Sequence, residues 1–337
     1  MDNSFFVLCA GIGGEKKTIK ISRLQICTWN LLHGNTFFEL GIEIAPGIIP
    51  EGQNCTIDFI APWLMNTSKI ISMHERFADN SNCRFIFNET VKSSSPIAGD
   101  NRNGTQIVFT TNTRIITILP VVHNILNNRV LQLSFVNKAP KDSSPYIRVL
   151  IEIKQKTLAT IKKGIAKCNY IFDFKINERR NLPDFVLDTI NADGLIYCDI
   201  ERFFCLHVVP DSCDISFIDS QKLKNIRSLE LSAFGRYLAS IYKIEIRDYI
   251  ITFSKDEQKE SYSLFSVFTQ EIIGTFQIIL AIITNIVCSL LFAIGSLRVI
   301  RDPNMAWYKQ IPCEYWIALS CVILLTLYVI IHRNKTK

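Results

Sequence analysis

Phe38-Glu39-Leu40-Gly41-Ile42-Glu43-Ile44 alternates large apolar residues with polar or small ones at every step. A period of two puts Phe38, Leu40, Ile42 and Ile44 on one side of an extended chain, the pattern of a half-buried strand. Cys55-Thr56-Ile57-Asp58-Phe59 repeats it. Further strand-like runs lie at 84–87, 106–110, 114–119, 130–136, 147–153, 170–176, 196–209 and 215–218. Segments rich in Gly, Pro, Asn and Ser, such as 46–53 and 93–104, separate them. Helical character is confined to 68–79, 182–190 and a connector near 223–241, where Ile226, Leu229, Ala233 and Tyr237 fall close to helical spacing. The expected fold class is mainly β, with one or two β-sandwich or barrel-like soluble units.

An internal echo bears on the number of units. Leu40-Gly41-Ile42-Glu43-Ile44 returns as Leu150-Ile151-Glu152-Ile153, and each is followed by a cysteine and an aromatic strand, Cys55 to Phe59 and Cys168 to Phe174. The spacing suits a duplicated β-domain. It divides the chain into a β-rich domain at 1–128, a second at 129–258 that holds the connector helix, and a membrane anchor at 259–337.

The anchor is expected from composition. Residues 272–297 carry no charge, nor do residues 315–331. A membrane-spanning helix needs about 20 apolar residues, with roughly 17 to 25 usual. A transmembrane α-helical hairpin is therefore expected, with helices at about 272–297 and 315–331, and the lipid bilayer is the first partner. Trp307, Tyr308, Tyr315 and Trp316 suit an aromatic belt beside the connecting loop.

Of the net charge of +6, a surplus of four basic residues lies beyond residue 271, so the soluble part is close to neutral with acids and bases interspersed. A nucleic-acid polymer as partner would call for a basic patch there, and none is expected. Met1-Asp2-Asn3-Ser4 lacks the basic start of an export signal. The expected location is the cell inner membrane, multi-pass with two spans, the β-rich part in the cytoplasm and the basic 332–337 tail on the same side. In that compartment the eleven scattered cysteines read as reduced core residues.

The candidate chemistry is thin. Gly11-Ile12-Gly13-Gly14-Glu15-Lys16-Lys17-Thr18 resembles a phosphate-binding loop, but Lys16 stands where the second glycine belongs, and Ile19-Lys20-Ile21-Ser22 alternates as a strand where a helix should open. It reads as a glycine-rich hairpin turn between two strands. Cys205 and His207 share a strand face, with Cys198 and Cys213 near in sequence, at spacings too loose for a structural zinc site and without a third partner for a nucleophilic pair. Asp184, Asp188, Asp193, Asp199 and Glu201 read as a solvated edge. No catalytic constellation, metal site or cofactor is expected, and the chain is not expected to be an enzyme.

The first span carries a clearer pattern. Gly274, Gln277, Ala281, Thr284, Cys288, Leu291 and Gly295 follow one another at steps of three and four, and all but Leu291 are small or polar. Small residues let membrane helices approach, and polar ones such as Gln277 and Asn285 should face protein or a wet cavity. Two readings stay open: packing against Ala318 and Cys321 of the second span, or packing between copies in a homo-oligomer.

A cytoplasmic β-rich domain joined to two self-associating spans resembles the two-transmembrane effectors of bacterial anti-phage defence. The resemblance is one of architecture, without a shared residue motif, and in such effectors the spans can precede the β-domain. It implies that a small nucleotide second messenger binds the β-domain and that clustered spans perturb the inner membrane, an antiviral function. The alternative is a non-catalytic, membrane-tethered scaffold or peptide-binding module that recruits partners through exposed sheet edges.

Overall fold

A computed structural model describes residues 4–11, 17–30, 35–110, 114–164, 166–180, 182–229, 237–238, 249–257, 261–272, 275–298 and 311–335. The protein is mainly β. Its early strands are β1 (Ser4–Cys9), β2 (Lys20–Asn30), β3 (Asn35–Ile44), β4 (Asn54–Ile60), β5 (Ile70–Ser72), β6 (Val91–Pro96) and β7 (Thr105–Phe109). Then come β8 (Ile115–Ile118), β9 (Val122–Leu126), β10 (Val130–Val136), β11 (Ser144–Lys154), β12 (Thr160–Lys163) and β13 (Lys167–Ile176). The last are β14 (Ile196–Tyr197), β15 (Asp199–Ile200), β16 (Phe203–Pro210), β17 (Cys213–Ile218), β18 (Leu223–Leu229), β19 (Tyr249–Asp256) and β20 (Tyr262–Glu271).

These strands form two sheets. One runs β17-β20-β13-β1-β4-β10-β9, the other β18-β19-β16-β2-β3-β11-β8-β7-β6. Each sheet takes strands from both sides of residue 128. The two echoing segments are neighbours in one sheet, with Val149 opposite Leu40 and Ile151 opposite Phe38. Cys55–Phe59 lies in β4, which flanks β1 on one side, and the strand holding Phe172 and Phe174 flanks it on the other.

The inward faces of both sheets meet in one core. Phe38, Leu40 and Ile42 of β3 pack there with Phe5 and Val7 of β1, Phe59 of β4 and Phe174 of β13. Phe5 has ring neighbours in Phe38, Phe59 and Phe174 at 5.4–5.6 Å. Burying one such side chain contributes about 1.5–3 kcal/mol, so this aromatic set is a main source of the sandwich's stability.

Both outward faces are covered too. The larger sheet buries Trp29, Phe37, Leu150 and Leu206 under Phe77, the helix Asn80–Phe87 and the helical pair Tyr237 and Leu238. The smaller sheet buries Phe6, Leu8, Ile60 and Val130 against Val186 of the helix Asp184–Asp193. The β-rich unit is thus a sandwich with a helical cover over part of each outward face. By backbone contacts it comprises Met1–Lys162 with Tyr170–Phe268, and a second unit comprises Lys163–Asn169 with Thr269–Lys337.

Several sequence expectations are corrected. The 84–87 run is the end of the helix Asn80–Phe87: Asp79 Oδ1 accepts from Ser81 N at 2.8 Å, and Asn88 closes the helix in the left-handed region at φ 53°. The connector near 223–241 begins as an edge strand, β18, paired antiparallel to β19 with Arg227 opposite Ile251. The rest of that connector lies outside the described residues, apart from Tyr237 and Leu238. Segment 68–79 is mixed, the short strand β5 followed by a 3-10 turn at His74–Ala78. Part of the 93–104 break is edge strand β6, where Pro96 is tolerated because an edge need not donate on its outer side.

The C-terminal unit holds a helical pair, Thr275–Leu297 and Cys313–Lys335. The 20 residues Ile278–Leu297 have mean hydropathy 2.6 and are only 11% buried. By length and composition that segment is long and apolar enough to cross a membrane. The second helix is apolar over the shorter stretch Cys313–Tyr328.

Candidate functional site

The hairpin divides the sequence-derived stripe between two faces. Leu280, Thr284, Cys288, Leu291 and Gly295 form the covered face of the first helix, and Glu314, Ala318, Cys321 and Leu325 that of the second. Cys288 Sγ lies 3.6 Å from the carbonyl oxygen of Ala318. A Cβ on Gly295 would come within 2.5 Å of Tyr315 Cε1, so only glycine admits that ring, which also packs on Phe292 at 5.0 Å. Arg298 Nη1 donates to Glu314 Oε1 at 2.8 Å and closes the loop end of the pair.

Ala281 and Asn285 point outward, among Ile278, Ile282 and Ile286. Thr284 returns its hydroxyl to Leu280 O at 2.8 Å, and the outward Ser289 does the same to Asn285 O at 2.8 Å. Such i−4 bonds satisfy hydroxyls within a helix. A carboxamide has no equivalent, and among the described residues Asn285's has no partner. Gln277 falls in the first helix, with its side chain outside the described residues, as is the whole of Gly274.

In the β-rich unit the polar focus lies on the outward face of the larger sheet, on the strand that reveals the fold. Gly41 stands in register between Gln25 of β2 and Arg148 of β11. With no side chain there, the Tyr146 hydroxyl crosses β3 and donates to Gln25 Oε1 at 2.7 Å, while Arg148 Nη1 donates to the Tyr146 oxygen at 2.9 Å. Arg148 also grips Glu39 through Nε and Nη2, and Tyr237 donates to the same carboxylate at 3.0 Å. Arg148 and Glu39 are fully buried. Burial raises the Glu39 carboxyl, and the Arg148 charge with the Tyr237 and Trp29 hydrogen bonds pulls it back down.

One row along, Glu43 and Glu89 are shared by Arg23 and Arg114. Arg114 reaches Glu43 and Glu89 at 2.6 Å each, and Arg23 reaches Glu89 at 2.9 Å. Burial pushes the Arg23 guanidinium down, and the neighbouring Arg114 charge adds to that. Beside this cluster opens a cleft of about 200 Å³, walled by Arg23, Gln25, Phe204, Leu206, Lys224 and Phe253. The Arg23 guanidinium sits 4.5 Å from the Phe204 ring centre, and Arg227 sits 4.8 Å from that of Phe253.

This face had a sequence signal in the Glu39-x-x-x-Glu43 alternation, which reads as a solvent side until the covering layer is known. The glycine-rich 12–16 segment lies outside the described residues; the strands on either side, β1 and β2, form, but in different sheets, so they are not the two arms of the expected hairpin. Cys205 and His207 do share a face, inside the sandwich: His207 is fully buried, and Cys205 Sγ lies 3.6 Å from its Nε2. Asp184, Asp188 and Asp193 lie on one helix, whereas Asp199 begins β15 and Glu201 follows it.

No family model matches the chain, and no curated protein matches it. A crystal structure described as a "putative protease" from Parabacteroides distasonis ATCC 8503 aligns over 85% of this chain and 47% of its own, with 9% identity and a TM-score of 0.24. The chain thus spans about half the length of that structure, and a likeness of this degree carries no argument.

Proposed function

We propose that the protein is a membrane-anchored sensor and effector. Its β-rich unit, held on the cytoplasmic side, binds a small ligand, and ligand binding favours a homo-oligomer in which many hairpins cluster and perturb the inner membrane. A nucleotide second messenger is the ligand implied by the architectural resemblance to two-transmembrane antiviral effectors. The apolar, exposed span supports membrane attachment.

The observation that carries the reading is Asn285. A carboxamide in mid-span without a partner is expensive in hydrocarbon and gains by meeting its like on another copy. In the hairpin it points outward, with Ala281 one turn before it and the small Ser289 one turn after. Ligand then acts by population shift, favouring the associated state of the soluble units.

The test is dye release from vesicles containing the full chain, with crosslinking to count copies. Asn285→Leu should abolish crosslinked oligomers and release, and Asn285→Gln should retain both. Full release by Asn285→Leu would sink the reading. A second reading, a tethered scaffold, is favoured by edge strand β9, where Val122 is 75% exposed. Exposed edges accept a partner's strand. Under that reading, replacing the hairpin with an unrelated anchor preserves function.

A further inference from the structure

Resting on the reading of the soluble unit as a ligand sensor, we propose that the cleft between Arg23 and Lys224 binds a small organic phosphate carrying a planar ring. The donors come first. Gln25 is 1% exposed and lines the cleft; its carbonyl oxygen is taken by Tyr146, while its amide N–H groups have no partner among the described residues. Arg23 is buried, and its Nε makes no hydrogen bond, with Glu43 Oε2 at 3.5 Å. Lys224 is exposed and lines the mouth; it makes no direct ion pair among the described residues, and its charge is felt by the Glu257 carboxylate. An uncommitted amide, a fixed guanidinium and an exposed ammonium together call for an acceptor-rich anion.

The charge balance agrees. Arg23, Arg114, Lys224 and Lys255 face Glu43, Glu89 and Glu257, which leaves one positive charge over. Asn88, Ser254 and the Glu89 carboxylate, which Arg23 and Arg114 neutralise, complete the polar part of the wall, and Phe204, Phe253 and Leu206 offer apolar surface beside the donors. Water occupies about 30 Å³ in the liquid, so the cleft displaces only a handful of waters on filling. One ring or one phosphate group fits inside, and the remainder of the ligand lies in the open mouth.

The cleft floor is also the first member of a buried chain. Gln25 leads through Tyr146, Arg148 and Glu39 to Tyr237. A phosphate drawing on the Gln25 amide is therefore linked to the segment that carries Tyr237.

The test uses the full chain in phosphatidylcholine nanodiscs, with binding followed by calorimetry. The probes are AMP, adenosine, inorganic phosphate and dioctanoyl phosphatidic acid. AMP should bind at least about tenfold tighter than adenosine or phosphate alone, because ring and anion sites act together. Lys224→Glu, an exposed edge substitution, should weaken AMP by about tenfold or more without changing the melting temperature of the free protein. Gln25→Glu, which keeps the acceptor for Tyr146 but removes the free donor, should weaken it likewise. Phosphatidic acid binding more tightly than AMP, with the same sensitivity to both variants, would support the site and name a lipid headgroup as the source of the phosphate. Adenosine binding as well as AMP, no binding by either phosphate ester, or AMP binding untouched by both variants would overturn the proposal. Clustering in lipid without AMP binding would discard the site alone, and AMP binding without clustering would discard the effector reading alone.

Discussion

The imidazole of His207, on β16 of the larger sheet, lies with Nε2 3.1 Å from the hydroxyl of Ser266, on β20 of the smaller one. Its Nδ1 is 2.7 Å from Thr28 Oγ1, on the neighbouring strand β2. One ring therefore bridges the sheets through the core, with Phe172, Phe174 and Phe268 around it at 4.8–5.7 Å.

Burial drives the His207 pKa down to about 3. The unfolded chain protonates this residue near 6.5, so below that pH the unfolded state binds the extra proton. Stability should fall as pH drops from about 6.5 toward 3, by up to about 1.4 kcal/mol per pH unit from this group. His207→Leu should flatten that slope in chemical-denaturation curves read from pH 4 to 8. It should also lower stability at pH 7 by about 2–4 kcal/mol, because the Thr28 and Ser266 hydroxyls lose their partner. An unchanged slope would contradict the bridge.

Asp58 gives the opposite sign. It sits on β4, 5% exposed, with Oδ1 lacking a hydrogen-bond partner, and burial raises its pKa to about 6. The native state holds the proton where the unfolded carboxyl, near 3.9, has lost it. The penalty is absent below about pH 4 and complete above about pH 6. Asp58→Asn should therefore stabilise the protein by about 2–3 kcal/mol at pH 7.5 and have almost no effect at pH 4. A stabilisation equal at both pH values would mean that the ionised form is not the cause.

Gly41 is the gap through which the polar network forms. A methyl group there would collide with the Tyr146 hydroxyl. Gly41→Ala should cost about 2–5 kcal/mol, the sum of overpacking and a disturbed buried ion pair. Tyr146→Phe removes the colliding oxygen, so the double variant should recover part of the loss. A double-mutant cycle measures this coupling, and strict additivity would show that the two residues do not meet.

The strands were legible because the sandwich core selects one face of each. Phe38, Leu40 and Ile42 announce β3, and the inward face is where they lie. The second layer was not legible. Glu39 and Glu43 look like a wet side, yet they are 0% and 2% exposed, Glu39 against Tyr237 and Arg148, Glu43 against Arg23 and Arg114. That helix hid in the short run at 84–87, where four residues cannot separate a helix from a strand by period. In the hairpin the stripe from Ala281 to Gly295 repeats every 3.5 residues on average, and a straight helix turns away from such a repeat by about 20° per heptad. This drift carries Ala281 off the covered face that Thr284, Cys288 and Gly295 share. Asn285 was expected to face protein or a wet cavity; which surface it faces depends on that rotation, which spacing alone does not fix.

The two faces of the span should separate in one experiment. Cys288 lies against Ala318, so Ala318→Cys supplies a second thiol across the hairpin, in a chain with Cys313→Ser and Cys321→Ser. Trypsin can cleave between the helices at Arg301 or Lys309, and only an oxidised Cys288 pair then holds the fragments together without reductant. Gly295→Leu would force the helices apart at Tyr315 and should cut the crosslinked yield several-fold, whatever the protein concentration. Asn285→Leu changes only the outward face and should leave that yield intact while abolishing crosslinks between copies. Loss of the intrachain product in Asn285→Leu would place the carboxamide inside the hairpin and remove the argument for a second copy.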